Sequence, residues 1–159
     1  MRAWHWWLIG LALLAAAGGT VYIMARGIRN HNPGNIRLSR DPWRGLAPEQ
    51  TDSSFFQFKA PEWGIRAMAV ILLNYQRKHA LHTIRQIIGR WAPSTENDTN
   101  SYIAHVSRDV GVGDSDALTL TDPATMRRLV TAIIEHENGF NPYSQTTIDQ
   151  GIFFALEAA

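Results

Sequence analysis

One run of residues restricts this chain before anything else does. From Trp4 to Met24 it reads WHWWLIGLALLAAAGGTVYIM, with no Asp, Glu, Lys or Arg and with His5 as its one side chain that can carry charge near neutral pH. A helix of about 20 apolar residues suffices to cross the hydrocarbon of a bilayer. A soluble helix of that length would carry a polar stripe, and this run has none. Trp4, Trp6 and Trp7 at one end and Tyr22 at the other suit the two interfacial belts. The run is expected to be a transmembrane helix, dividing the chain into an anchor over 1–25 and a second domain over 26–159. A cleavable signal peptide is the competing reading, because Arg2 offers a charged start and Ala15–Gly19 offers small residues. Arg26, Arg29, Arg37 and Arg40 follow the span and only Arg2 precedes it, an imbalance that directs the second domain to the cytoplasm under the positive-inside rule.

What remains of the 159 residues is enough for one compact domain and too little for two large ones. A formal net charge of +1 gives no field to recruit a polyanion, so nucleic acid is not an expected partner. The absence of cysteine excludes disulfides, thiolate nucleophiles and thiolate-held metals. The six histidines show no HExxH spacing, and neither a Gly-rich phosphate loop nor a G-x-S-x-G elbow occurs. No metal and no cofactor is expected.

The second domain opens on a stretch rich in Asn, Pro, Gly and Arg, RGIRNHNPGNIRLSRDPWRG from Arg26, which are turn formers. Residues 54–59 (SFFQFK) resemble a strand that could pair with Asn35–Leu38 as a small ribbon. Helical periodicity follows. Pro61 starts a helix that runs to about Lys78, and Ile84, Ile87, Ile88 and Trp91 mark a second that Pro93 stops. Tyr102, Ile103 and Val106 mark a third. Asp122 caps the clearest helix, with Pro123 in its first turn, Met126, Leu129, Val130, Ile133 and Ile134 on one face, and Gly139 as its left-handed stop. A last short helix is expected over about Thr147–Leu156. The fold class is therefore mainly α with a small β ribbon, preceded by one transmembrane helix.

One carboxylate sits where a carboxylate does not belong. Extending the apolar stripe 126, 130, 133 by one step reaches Glu137, on the core-facing side of its helix, whereas Glu135 points toward solvent. Glu137 also lies in the last turn, where the helix dipole is negative, so desolvation and dipole both oppose its ionisation. A carboxylic acid kept protonated near neutral pH can protonate a glycosidic oxygen, as glycoside hydrolysis requires. The plainer reading makes Glu137 a helix-end carboxylate paired with a surface cation such as Arg127 or Arg128.

The residues around it add a resemblance. EHENGFNPYS, which includes Glu137, Asn141, Pro142 and Ser144, resembles the catalytic motif of soluble lytic transglycosylases and goose-type lysozymes, where Glu ends a helix and Asn-Pro follows four residues later. Two features depart from that pattern: Asn138 stands where those families carry Ser, and their Gly-Leu-Met-Gln element is absent. HNPGNIR (His31–Arg37), FFQFKAPEWGIRAM (Phe55–Met68) and NSYIAHV (Asn100–Val106) resemble elements that follow the catalytic helix in lysozyme-like flagellar hydrolases, so their order here is circularly permuted. The resemblance covers about Arg26–Gly151 and implies a lysozyme-like domain of phage or prophage type.

What the resemblance implies can be stated residue by residue. Glu137 would be the catalytic acid/base cutting between N-acetylmuramic acid and N-acetylglucosamine. Tyr102, Asn35, Asn138 and Asn141 would contact the sugar or hold the catalytic loop. For Tyr102 the alternative is an ordinary core residue, and for Asn32–Asn35 an ordinary tight turn. A two-acid mechanism would need a second carboxylate, for which Glu62, Glu96 and Asp98 are available without a placing signal. A single Glu suffices for transglycosylation, in which the muramic 6-hydroxyl replaces water. The expected partners are peptidoglycan, the membrane through the N-terminal helix, and other virion proteins. The expected location is a phage virion membrane, or a bacterial inner membrane with the domain facing the periplasm. A non-catalytic virion membrane or structural protein is the alternative function.

Overall fold

The computed structural model describes residues 25–94 and 98–157, and these form a helical assembly in which six helices follow one another. A single turn, α1 (Arg26–Arg29), precedes a long loop that ends at α2 (Pro61–His79); α3 (Ile84–Trp91), α4 (Thr99–Val110), α5 (Pro123–Asn138) and α6 (Gln145–Leu156) complete the chain. Their boundaries have local chemical causes. Pro61 and Pro123 occupy first turns, where no N–H is required. Thr83 and Gln86 close a capping box on α3, while Asp98, Asp122 and Ser144 accept from backbone N–H groups in the first turns of α4, α5 and α6. Gly111 and Gly139 end α4 and α5 in the left-handed conformation.

The core sits between these helices. Ile65, Met68 and Leu72 of α2, Ile84, Ile87 and Ile88 of α3, Val106 of α4, and Met126, Leu129, Ile133 and Ile134 of α5 are wholly buried. α6 lies closest to α2, and Gly151 explains how: a Cβ there would come within 2.6 Å of Ile65 and 2.8 Å of the Glu62 carbonyl. A smaller cluster of Phe56, Phe58 and Ala67, flanked by Trp43, Leu46 and Trp63, fastens the long loop to α2.

Two parts of the expected fold class need correction. No β ribbon forms among the described residues, only isolated antiparallel bridges at Arg37–Phe55, Leu46–Phe58 and Thr83–Ala117. The reason is visible in the backbone. Phe56 N–H donates to Ile36, Phe58 N–H to Asn30 and Lys59 N–H to Gly45, while the Gln57 carbonyl accepts from Ala47. Neighbouring residues thus bond to three separate places, Asn30, Ile36 and the segment 45–47, and no ladder propagates. Side chains supply the rest: Asn32, fully buried, donates to the carbonyls of Ile36 and Phe56 and accepts from Ile36 N–H. As for the transmembrane helix, no helix among the described residues is long and apolar enough to cross a membrane, and Trp4–Met24 lies outside the described residues.

Candidate functional site

Glu137 occupies the last turn of α5, partly buried, and its carboxylate meets side chains from three other places in the fold. The Tyr102 hydroxyl of α4 donates to Oε1 at 2.9 Å, and the Trp91 indole N–H at the end of α3 donates to the same oxygen at 3.2 Å. Oε2 accepts from the Asn35 amide, on the loop between α1 and α2, at 3.2 Å. All three donors are neutral. Burial pushes the Glu137 carboxyl above its ordinary range, although hydrogen bonds from Asn35, Tyr102 and Trp91 pull the other way. Tyr102 is 2% exposed, and burial first, then the charge and hydrogen bond of Glu137, hold its phenol well above the usual value.

The surface ion-pair reading of Glu137 does not describe this arrangement. Arg127 instead grips Asp149 of α6, at 2.5 and 3.0 Å. Glu96, one of the carboxylates considered as a second acid, lies outside the described residues, and Asp98 serves as the α4 cap.

The loop that delivers Asn35 is held by fitted packing. Asn35 adopts a left-handed conformation (φ 48°), which Asn tolerates better than most residues, and its N–H closes a turn onto Asn32. Gly27 of α1 is required beneath it. A Cβ there would fall 2.7 Å from the Asn138 Oδ1 and 2.9 Å from the Asn35 Oδ1. Asn138 is 8% exposed and ties the end of α5 to this loop, its amide donating to the Pro33 carbonyl at 2.8 Å and to Ile134 at 2.9 Å. It therefore positions the loop from inside. Asn141 lies in the turn after α5, where its Oδ1 accepts from Tyr143 N–H at 3.0 Å.

Of the residues expected from sequence, Glu137, Tyr102 and Asn35 come together directly, Asn138 supports them, and Asn141 shapes the next turn. Trp91, which the sequence marks only as part of a helix, joins them through its indole N–H. Its indole N–H, which needs a partner when buried, was the available signal. His136 stacks on Tyr102 with ring centres 3.5 Å apart and planes 14° apart. Burial, and then the neighbouring His105, lower its pKa to about 4. A separate hollow, lined by Arg44, Trp63, Phe154 and Glu157, stacks Trp63 on Phe154, but its charged residues Arg44 and Glu157 are exposed to solvent.

Comparison with known proteins adds one relative. No family model matches the chain. Protein P5 of Pseudoalteromonas phage PM2 is 39% identical to it over 156 residues, covering 95% of this chain and 96% of that protein.

Proposed function

This chain belongs to the family of the phage protein P5, and from its site we propose that it is a phage enzyme that cleaves the glycan strands of peptidoglycan, with Glu137 as its acid/base. The observation that carries the reading is the partly buried Glu137 carboxyl, raised in pKa by burial and met by three neutral donors. Such a group holds a proton at a pH where an ordinary carboxylate has lost it. Oε1 already accepts two hydrogen bonds, so the acidic proton belongs on Oε2. Passing that proton to a glycosidic oxygen leaves a carboxylate, and Tyr102, Trp91 and Asn35 are placed to stabilise the charge that appears. The same carboxylate then acts as base, toward water or toward the muramic 6-hydroxyl. The motif EHENGFNPYS supports this substrate class, by its likeness to lytic transglycosylases.

A second reading is favoured by the relative itself, a phage protein whose name carries no activity, and by the way Glu137 ties α3, α4, α5 and the Asn35 loop together. In that reading the chain is a non-catalytic virion component, and Glu137 is structural. One experiment separates the two. The full chain and Glu137→Gln are incubated with purified peptidoglycan, and the released glycans are analysed by mass spectrometry. Cleavage is expected, falling by about 10²–10⁴-fold in the variant. Anhydro ends would identify transglycosylation and reducing ends hydrolysis. Unchanged cleavage by a folded Glu137→Gln, or no cleavage by the parent chain, overturns the enzymatic reading.

A further inference from the structure

On the other side of the Tyr102–His136 stack, α4 and α5 place a second set of chemically active groups. His105 and Asp109 stand one turn apart on the same face of α4, and Glu135 faces them from α5. One donor atom from each of the three lies within 4.8 Å of the other two. We propose that His105, Asp109 and Glu135 bind a divalent transition-metal ion of the zinc type, with His136 as the residue that orients His105.

The argument starts from the two ring nitrogens of His105. Its Nε2 lies 2.6 Å from Asp109 Oδ2, and its Nδ1 lies 3.0 Å from His136 Nδ1. That 3.0 Å separation of the two Nδ1 atoms suits a hydrogen bond from His105 Nδ1–H to a lone pair of the half-buried His136 ring. That bond leaves the Nε2 lone pair for an ion, 2.6 Å from Asp109 Oδ2. A metal-bound histidine characteristically donates its other N–H to a fixed acceptor, and here the acceptor is a second imidazole. Imidazole with carboxylate is a donor set that suits zinc and its neighbours.

The site is also reachable. The His105 and Asp109 side chains are 29% and 24% exposed, so an ion can enter and water can complete its coordination. Arg108 bonds the other oxygen of Asp109, Oδ1, at 3.1 Å, leaving Oδ2 toward His105. Arg108 is 72% exposed, so water screens the repulsion between its charge and a bound cation. None of this depends on what Glu137 does.

The test is zinc chloride titrated into the full chain by calorimetry, beside His105→Gln, Glu135→Gln and His136→Phe, with the exposed His82→Gln as control. One zinc per chain is expected, with affinity weakened about 10–100-fold in each site variant and unchanged in the control. His136→Phe keeps a ring against Tyr102 and removes only the acceptor, which separates orientation from packing. Should a variant fail to fold, imidazole nitrogen resonances of the unmutated chain decide: His105 and His136 shift together on adding zinc, and His79 and His82 do not. Absence of zinc binding, binding that survives all three site substitutions, or zinc-dependent shifts confined to other histidines overturns the proposal.

Discussion

Asp52 and Glu137 are both carboxylates that accept several hydrogen bonds, and the fold drives them in opposite directions. Asp52, in the long loop, accepts from the Arg26 guanidinium at 2.7 and 2.6 Å, from the Asn30 amide at 2.8 Å, and from the Ser54 and Phe55 N–H groups. The Arg26 hydrogen bonds, helped by those of Asn30, Ser54 and Phe55, hold its carboxyl far below the usual range despite partial burial. Glu137 has three donors, no cation among them, and burial prevails. The number of hydrogen bonds does not set the protonation state; the charge of the partner against the depth of burial does. One region thus stores a permanent anion that organises a loop, and the other keeps an acid.

The most forceful way to break this contrast is to let water under Glu137. Ile133, wholly buried, lies one turn below it on the same face of α5. Ile133→Ala removes apolar contacts and leaves a void, and is expected to cost about 2–5 kcal/mol in denaturant unfolding. If water enters that space, the Glu137 carboxyl relaxes toward its ordinary range, while Asp52 is untouched. Carboxyl titration followed by NMR checks both halves of the expectation.

Asp52→Asn attacks the other side. It keeps the shape but removes the charge that Arg26 and Asn30 bond, for an expected loss of about 1–3 kcal/mol at neutral pH. The sign of its pH dependence follows from the depressed pKa: the folded state binds fewer protons than the unfolded one. Stability from Asp52 is therefore complete above its unfolded pKa of about 3.9 and is lost as pH falls below that. The variant should lose this part of the acid limb, and limited proteolysis should cut first within the long loop. An unaltered acid limb in Asp52→Asn would show that Arg26 and Asn30 do not distinguish the two carboxylates.

The same contrast explains what could be read from sequence. The stripe Met126, Val130, Ile133 places Glu137 correctly because helix period and burial are local properties of one segment, and caps such as Asp122 and Gly139 are local too. The expected ribbon failed because the backbone from Phe56 to Lys59 bonds to three separate segments, and the side-chain amide of Asn32 takes up carbonyls of Ile36 and Phe56 that a ladder would pair. No periodicity encodes that. Tyr102 and Asn35 entered through resemblance to lytic enzymes, whereas Trp91 and His136 required the packing of α3 and α4 against α5. His105 and Asp109 stand four residues apart on α4, but Glu135 joins them only through the packing of α5 against α4.

The finest adjustment is to remove one donor from Glu137. Trp91→Phe retains an aromatic ring and deletes the indole N–H that reaches Oε1 at 3.2 Å. That bond favours the carboxylate, so its loss moves the Glu137 carboxyl further up, not down. A raised carboxyl gives the folded state more bound protons than the unfolded one. Its contribution to stability is thus greatest below the unfolded value of about 4.3, declines as pH rises from there to the folded value, and is flat beyond. Trp91→Phe should extend that decline to higher pH and cost about 1 kcal/mol at neutral pH, where the ionised form has lost a partner. Glu137→Gln should abolish the decline altogether, since the amide does not titrate. A decline that shortens in Trp91→Phe, or persists in Glu137→Gln, would mean that the buried acid of this fold is some other group, and that Asp52 and Glu137 are not the opposed pair described above.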